Sequence, residues 1–533
     1  MTSHRVMLAT AIAVAMAGLA TPAQGAEVVP VIFDGANEGY NDTTPVAPVG
    51  GNPGTTRGEQ RRIVAQFAAD LWGAVLESDQ PVFVGAQFNP LGANVLGSAG
   101  ATFIFRDFAN APVPGTWYSS ALADAISGED LQPGYIDINS QFSSDFGFYY
   151  GLDGQTPAGQ INFLDVVMHE YGHGLGFQNF TSESTGKFQS NTPDIYSTFT
   201  FDNTTGKFWT QMTNPERRDS AVNYGNVVFT GSSATAGAAL VLDARQDFRI
   251  TAPAAIAGAY AYGTASFGPA ISPSNFGGTV VLATDPANAA GPSTTDGCSP
   301  IGNAAAVAGN IALLDRGACA FTIKVKNAQN AGATGVLIAD NVAGTPPPGM
   351  SGVDPTITIP SIRISLAEGG TIKANLPGVT VGFVVDAGKL QGADDAGRPR
   401  LFMPDPVQGG SSGSHYDSNL LPNALMEPAI NSTLLSIYNL DLTPNLLADT
   451  GWTLNGGDAD IEGCDTGIDV VDDAGLIVGA NVQATHALCL ADASNHGGYM
   501  RCMAAYRTRL VDGGLITGAQ GDALMDCAED VGK

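Results

Sequence analysis

Hydrophobic residues along the amino-terminal part of the chain alternate between two periodicities. Between residues 59 and 77 they recur every four positions, which predicts an amphipathic helix with one buried face: Ile63, Phe67, Leu71 and Val75. Segments 28–33, 81–88 and 101–108 are rich in Val, Ile and Phe and predict strands. This alternation indicates helices packed on one twisted sheet.

A further strand is predicted at residues 135–139, where Tyr135, Ile136, Asp137, Ile138 and Asn139 alternate apolar with polar side chains. A half-buried strand explains this pattern. An edge strand able to pair with an extended peptide is the alternative.

The next apolar run, from Asn162, has helical spacing and contains two histidines four residues apart. Asn162 can cap the helix start, and Leu164, Val167, Met168 and Tyr171 form the apolar pattern. His169 and His173 would project from one face and reach a single metal ion, while Glu170 lies to the side and can accept a proton from metal-activated water. The five residues form the HExxH signature of zinc peptidases.

Two buried core histidines would be the simpler explanation of this pair. Histidine usage argues against it, because the chain has six histidines and only three lie between residues 5 and 485: His169, His173 and His415. Gly172, Gly174 and Gly176 would each weaken an ordinary helix. They predict that the helix ends near Gly176 and that another element packs closely against this end.

Composition and charge narrow the class of protein. The 533 residues allow two or three domains, and 44% hydrophobic residues with 67 Gly and 31 Pro describe a globular chain with many turns. The formal charge of −28 argues against nucleic acid or an anionic membrane as a partner.

Residues 1–26 have the features of a signal peptide, and no later segment is long enough to span a membrane. The six cysteines fit an oxidising compartment. We therefore expect a secreted, soluble protein.

A catalytic zinc usually has three protein ligands, and the third is absent near the HExxH motif. In the metzincin pattern HExxHxxGxxH a third histidine follows, but Asn179 occupies that position, and an amide is a poor zinc ligand. Glu183 and Glu216 are the nearest carboxylates, although neither lies in a convincing helical pattern. His415 is the remaining candidate.

The sequence around His415 resembles the leishmanolysin family of zinc endopeptidases. The resemblance comprises HExxHxxGF, the remote segment from Gly409 to Asp417 (GGSSGSHYD) and the LMEP motif that contains Met426. It implies one zinc held by His169, His173 and His415, Glu170 as general base, and Met426 in a methionine turn beneath the metal. Tyr416 stands where a tryptophan is common in the family, and we interpret it as a packing residue or as a hydrogen-bond donor to a developing oxyanion.

The 242 positions between His173 and His415 contain an inserted domain, predicted at residues 250–390. Segments 310–317, 321–331 and 335–339 predict a β-α-β unit. The run GNIALLDRGACAFTIKVKNAQNAGATGVLIAD resembles the protease-associated (PA) domain, which implies a role in substrate access or protein binding. Cys298 and Cys319 flank a loop and strand here, and a disulfide is expected in a secreted chain.

The tail, residues 457–533, is acidic at its start and then predicts short helices with four cysteines: Cys464, Cys489, Cys502 and Cys527. Four cysteines allow three pairings. The segment from Asp458 to Asp469 partly resembles a calcium-binding loop, but a solvated acidic linker is the simpler interpretation. His486 and His496 lack the spacing of a structural zinc site.

Together these features predict an α+β, metzincin-like zinc protease domain in two parts, residues 27–249 and 391–456. The β-rich PA domain interrupts it, and a small disulfide-containing helical module follows. The predicted function is secreted zinc-dependent endopeptidase activity on protein or peptide substrates. The alternative is a non-catalytic, zinc-stabilised binding or adhesion protein.

Overall fold

The computed structural model describes residues 25–92, 95–430 and 433–531. The predicted signal peptide, residues 1–26, therefore lies almost wholly outside the described residues.

The first part of the chain, up to Val241, contains twelve short strands and six α-helices within the described residues. The strands are β1 (Val28–Ile32), β2 (Leu76–Glu77), β3 (Val82–Asn89), β4 (Gly97–Ala101), β5 (Ile104–Phe105), β6 (Tyr118–Ser119), β7 (Ile138–Ser143), β8 (Phe148–Tyr149), β9 (Ile161–Asn162), β10 (Thr200–Asp202), β11 (Lys207–Phe208) and β12 (Val227–Phe229). The helices are α1 (Arg57–Val75), α2 (Ser120–Ser127), α3 (Phe163–Leu175), α4 (Ile195–Phe199), α5 (Asn214–Ser220) and α6 (Ser232–Val241).

A mixed four-stranded sheet with the order β1-β3-β7-β4 forms the base of this part. β1, β3 and β7 are parallel, and β4 pairs antiparallel with β7. Of the strand predicted at residues 135–139, only residues 138 and 139 lie in β7, and because β7 is an inner strand, the alternative of an edge strand is wrong. One of the two edge strands is β4, whose sequence GSAGA has no hydrophobic pattern. Only residues 104–105 of the predicted strand 101–108 form a separate strand.

The predicted amphipathic helix is α1, which a capping box opens: the Thr56 side chain accepts from Glu59 N–H, and the Glu59 carboxylate accepts from Thr56 N–H. Its apolar face, including the fully buried Leu71 and Trp72, packs in the main core. The Trp72 Nε1 atom donates to the carbonyl oxygen of Met168, 3.1 Å away, so α1 is tied directly to α3.

The inserted domain is built on an eight-stranded sheet with the order β14-β13-β20-β16-β17-β18-β19-β15. Its elements are β13 (Ala244–Ala252), β14 (Gly258–Ala259), β15 (Gly263–Thr264), β16 (Gly277–Leu282), α7 (Ala304–Val307), β17 (Ile311–Asp315), α8 (Phe321–Asn330), β18 (Gly335–Ala339), β19 (Ser361–Ile364), α9 (Leu366–Ala374) and β20 (Thr380–Leu390). β17, α8 and β18 form the predicted β-α-β unit with parallel strands. β13 begins at Ala244 and pairs along β20, so the sheet starts six residues before the predicted boundary.

After β20 the chain returns to the first part and completes its core. Helix α10 (Thr443–Thr450) packs on α6, and β21 (Thr453–Leu454) pairs with β2. One hydrophobic cluster joins buried residues from 26–242 with buried residues from 393–484. The two segments on either side of the insertion therefore share one core.

The carboxy-terminal module has a separate small core formed by β22 (Asp458–Ile461), β23 (Cys464–Asp469), α11 (Val478–Asp492), α12 (His496–Asp512) and α13 (Gly518–Asp530). Disulfides join Cys464 to Cys527 and Cys489 to Cys502.

Two predictions for the start of this module require correction. The acidic segment is neither a solvated linker nor a calcium loop: β22 and β23 form an antiparallel hairpin, which also carries Cys464 on a strand rather than on a helix. Ala459, Ile461 and Ile468 are buried on one face, whereas the alternating aspartates face solvent. A two-residue alternation of this kind is typical of a half-buried hairpin.

No helix within residues 25–92, 95–430 and 433–531 has the length and apolar character required to cross a membrane.

Candidate metal centre

Helix α3 carries the HExxH residues through the middle of the main core. The Asn162 side chain caps its start by accepting from Leu164 N–H at 2.9 Å. The helix ends at Gly176, where φ is +127°, a conformation that side chains rarely adopt. Both ends agree with the prediction from the sequence, and every residue of the helix is buried.

Three imidazoles converge at one point: His169 and His173 from α3 and His415 from the returning segment. Their Nε2 atoms are 3.1 Å apart for His169 and His173, 3.2 Å for His173 and His415, and 3.2 Å for His415 and His169. All three side chains are buried. The structure thus brings His415 beside the two helix histidines, although 242 positions separate it from His173.

The other ring nitrogen of each histidine is occupied by a backbone carbonyl. Nδ1 lies 2.7 Å from Leu425 O in His169, 2.9 Å from Phe177 O in His173 and 2.8 Å from Ser411 O in His415. Because a carbonyl oxygen only accepts, each Nδ1 must carry the proton, and each Nε2 then presents a lone pair. Three lone pairs directed at one point repel one another unless a cation lies between them.

The donor set fits zinc. Nitrogen ligands 2.0–2.1 Å from a tetrahedral zinc ion stand about 3.3 Å from one another, close to the observed Nε2 separations. Three neutral imidazoles with one further position for water match the ligand number of a catalytic zinc site. In the described part of the chain, this is the only cluster of at least three histidine, cysteine or acidic side chains with metal-binding geometry.

Burial keeps the imidazoles neutral. It lowers the pKa of His169 to about 4, and burial together with the neighbouring His169 lowers the pKa of His173 to about 3. The pKa of His415 is well below its ordinary value because of burial and the two neighbouring imidazoles. Since only the neutral ring has a free Nε2 lone pair, these shifts favour the form that binds a metal.

The Glu170 carboxyl group lies against the edge strand β4. It accepts a hydrogen bond from Ala99 N–H, and it packs so closely on Gly97 that a Cβ there would lie 2.6 Å from Glu170 Oε1. Burial raises the pKa of Glu170 to about 8. The group is therefore a base with high proton affinity, held between the helix and the open edge of the sheet.

Met426 packs against helix α3 at Gly172. A Cβ on Gly172 would be 2.8 Å from Met426 Sδ, so the absence of a side chain at Gly172 makes room for the methionine. The Met426 carbonyl accepts from Tyr416 N–H at 2.9 Å, which joins the turn to the segment that carries His415.

Tyr416 is a packing residue. Its ring lies 4.8 Å from that of Phe177, and its hydroxyl donates to Leu442 O at 3.2 Å within the core. The side chain is fully buried. The oxyanion alternative is therefore not retained, because this hydroxyl is engaged inside the core.

The alternative carboxylate ligands lie outside the histidine cluster. Glu216 pairs with Lys207 at 2.5 Å on the surface, and Glu183 accepts from the Asn179 side chain at 3.2 Å. Asn179, at the position of the metzincin third histidine, donates to Ser414 Oγ at 3.0 Å. It thus links the exit of α3 to the residue before His415.

The role of Asp441 was not predicted from the sequence: it fixes Leu425, whose carbonyl oxygen accepts from His169. Asp441 Oδ2 accepts from Leu425 N–H at 2.5 Å, and its Oδ1 accepts from the backbone and hydroxyl of Thr443. Leu425 in turn bonds His169 through its carbonyl. Asp441 has a φ of +50°, and no local pattern in the sequence reveals this role.

In the inserted domain, Cys298 and Cys319 form the expected disulfide, with 5.7 Å between their Cα atoms. The buried Lys324 lies beside it and donates to the carbonyl oxygen of Asp296 at 2.5 Å. This bond ties α8 to the loop between β16 and α7.

Comparison with known families identifies this inserted region. Residues 276–372 match the family model of the PA domain. The prediction of a PA domain in the insertion is thereby confirmed, and the match covers the centre of the eight-stranded sheet.

Similarity to individual proteins is confined to small parts of the chain. ER degradation-enhancing alpha-mannosidase-like protein 3 is 47% identical over 51 residues in Homo sapiens and 47% identical over 49 residues in Xenopus laevis. These alignments cover 10% and 9% of this chain, but only 6% and 5% of those proteins.

Similarity to solved structures is also partial. An aminopeptidase from Aneurinibacillus sp. strain AM-1 matches 28% of this chain and 32% of its own, with 21% identity and a TM-score of 0.20. BSAP, a zinc aminopeptidase from Bacillus subtilis, matches 29% of this chain and 36% of its own, with 17% identity and a TM-score of 0.19.

Proposed function

We propose that this protein is a secreted, zinc-dependent endopeptidase with a leishmanolysin-like, metzincin-type catalytic domain. The observation that carries the proposal is the convergence of three Nε2 lone pairs from His169, His173 and His415, beside the Glu170 carboxyl group. The PA domain is consistent with this function, because such domains occur as inserts in secreted proteases.

The three histidines would hold one zinc ion per chain. When bound, zinc supplies a Lewis acid that lowers the pKa of a water molecule and polarises the scissile carbonyl. The backbone carbonyls of Leu425, Phe177 and Ser411 fix the tautomer and the ring orientation of their histidine partners.

Glu170 would act as the general base. It accepts a proton from the attacking water and later delivers that proton to the leaving amine. Adjacency to His169 in the chain, together with the contact to Gly97, holds the carboxyl group beside the histidine cluster. A structural metal site has no need for such a carboxyl group, which favours catalysis over a binding protein.

The open edge of β4 would position the substrate. The backbone groups of Leu96 and Thr102 form hydrogen bonds on the side of β4 that faces β7. In an antiparallel ladder such bonds fall on alternate residues, so the backbone N–H and C=O groups of residues 97, 99 and 101 point away from β7. Ala99 N–H is bonded by Glu170, and Ala101 N–H by Gln178 Oε1 at 3.3 Å. An extended peptide added to this edge would exchange these side-chain contacts for backbone hydrogen bonds and lie next to Glu170.

The test is cleavage of casein by purified chain, with zinc content measured by mass spectrometry. Glu170→Gln should retain about one zinc per chain and lose turnover, whereas His415→Ala should lose both. Glu183→Gln is the matched control and should keep both. Zinc binding without cleavage in the parent would support a zinc-stabilised binding protein instead, and retention of zinc in His415→Ala would refute the ligand assignment.

A further inference from the structure

A cavity separate from the histidine cluster lies where the segment after β20 meets the inserted domain. Its volume is about 320 Å³, at the lower end of the range for small-ligand sites. Loop 224–226, strand β13, residues 259–262 and parts of the segment 391–419 form its walls. None of the three clustered histidines or Glu170 lines it.

Arg400 is the unusual group in this cavity. Its Nε atom is buried without a hydrogen-bond partner, and its guanidinium group forms no salt bridge to any described residue. Asp417 is fully buried, and the charge of Arg400 offsets part of the rise in its pKa that burial causes, but the two side chains form no salt bridge. An anion in the cavity that accepts hydrogen bonds from the guanidinium group would supply the missing partner.

Two other polar groups on the wall have donors without a partner. The Tyr262 hydroxyl has no hydrogen-bond partner among the described residues, and Gln391 uses its Oε1 to accept from Gln246 N–H at 2.6 Å, which leaves its amide donors. The two oxygen groups nearest to them are already engaged. Asp247 Oδ1 accepts from Arg245, and the Tyr224 hydroxyl donates to Asp417 while accepting from Asn419.

A cavity lined by a guanidinium group without a salt bridge and by two further donors without a partner fits an anion. The planar guanidinium group matches a carboxylate, with two parallel hydrogen bonds. A dianion such as phosphate would be opposed by Asp247 on the wall and by the buried Asp417 beyond Arg400. The volume fits a group the size of one acidic amino acid.

We propose that this cavity is a binding site for a carboxylate group, with Arg400 as its principal ligand and Tyr262 as a second donor. The carboxylate can belong to an acidic residue within a peptide or to a free small dicarboxylic acid. The backbone connects the site to the metal centre: Arg400 O accepts from Asp417 N–H, and Phe402 N–H donates to His415 O.

Isothermal titration calorimetry on the full chain tests this proposal. The probes are N-acetyl-aspartate methylamide, which mimics an acidic residue within a peptide, and succinate as a free dicarboxylate. N-acetyl-asparagine methylamide and sulfate serve as the neutral and dianionic comparisons. Saturable binding of either carboxylate, at least tenfold tighter than both comparisons, is the expected result. The carboxylate that binds more tightly identifies the source.

The variants locate the binding. Arg400→Gln should weaken carboxylate binding at least tenfold, and Tyr262→Phe two- to fivefold with little disturbance of the fold. Arg218→Gln removes the same charge from an exposed position that pairs with Asp219, and it should bind as the parent does. The proposal fails if no carboxylate binds the parent up to about 50 mM, if sulfate binds equally well, or if Tyr262→Phe and a folded Arg400→Gln both retain parental affinity.

Discussion

The Nδ1 atom of His169 lies 2.7 Å from the carbonyl oxygen of Leu425, a residue 256 positions further along the chain. This contact joins the helix that precedes the inserted domain to the turn that follows it. Because Asp441 accepts from the N–H of the same Leu425, one peptide segment is fixed from both sides. The ring orientation of the first histidine therefore depends on residues that the sequence places far from the HExxH motif.

Replacement of Asp441 tests this connection. Asp441→Asn keeps the size of the side chain and tolerates the positive φ. Its amide has only one accepting oxygen, however, so it cannot accept from both Leu425 and Thr443 as the carboxylate does. Zinc affinity should fall about tenfold, as is typical when an outer hydrogen-bond partner of a metal ligand is lost. Competition with a fluorescent chelator measures the affinity. Asp145→Asn, at an exposed position, is the control, and equal affinities in both variants would contradict the role of Asp441.

Zinc should also stabilise the folded chain, because it relieves the repulsion between three converging lone pairs. At a free zinc concentration 1,000-fold above Kd, binding to the native state alone contributes about 4 kcal/mol. We expect a higher midpoint of thermal unfolding on adding zinc to chelator-treated protein, measured by differential scanning fluorimetry.

The histidine variants check that this stabilisation comes from the cluster. His415→Ala should abolish the zinc-dependent rise in the midpoint. His496→Ala, which removes an exposed histidine from the carboxy-terminal module, should preserve it. A zinc response that survives His415→Ala would mean that another part of the chain binds the metal.

The helix that carries His169 and His173 was predictable because its signals are local. The Asn162 cap, the i,i+4 histidines and the terminal Gly176 all act within one helix. The edge strand β4 could not be predicted in this way, because Gly and Ala carry little strand preference. It owes its structure to pairing with β7. For the same reason the acidic hairpin β22–β23 was mistaken for a linker: its stability comes from burial of Ala459 and Ile461 against the terminal helices.

The position of His415 beside His169 could be inferred only from the lack of another third ligand and from a family resemblance. Nothing in the periodicity of the chain brings together residues 246 positions apart, and packing decides this contact. Met426 fits under Gly172, and Asn179 bonds Ser414, so the two segments meet in one register. The glycines after His169 did indicate such close packing.

Gly174 provides a direct test of that packing. A Cβ at this position would lie 2.2 Å from Ile138 Cγ2 on β7, and the branched isoleucine has little freedom to move. Gly174→Ala should therefore destabilise the protein by about 1–3 kcal/mol despite the higher helix propensity of alanine. Urea unfolding measures the loss.

Two comparisons separate a clash from a backbone effect at Gly174. Ile138→Ala, which removes Cγ2 and the two other carbon atoms nearest to the new Cβ, should recover part of the stability lost in Gly174→Ala, in a double-mutant cycle. Gly147→Ala, where a Cβ would meet no atom within 4 Å, should change stability by less than about 1 kcal/mol. If Gly174→Ala unfolds like the parent, Ile138 does not restrict this position.

The buried carboxyl pair of Asp124 and Asp137 predicts a dependence of stability on pH. The two side chains share a hydrogen bond, which requires a proton on one of them, and burial followed by the neighbouring Asp124 raises the pKa of Asp137 from 3.8 to about 8. Because the folded-state pKa is the higher one, this contribution to stability is complete below about pH 4 and is lost as the pH rises towards 8.

Asp137→Asn supplies a pH-independent amide donor to Asp124 and still accepts from Phe83 N–H, as Asp137 does now. The variant should therefore gain on the order of 1 kcal/mol or more over the parent between pH 5 and pH 8, measured by urea unfolding at both values. The exposed Asp145→Asn should show no such gain, and an Asp137→Asn difference that is equal at the two pH values would rule out the shared proton.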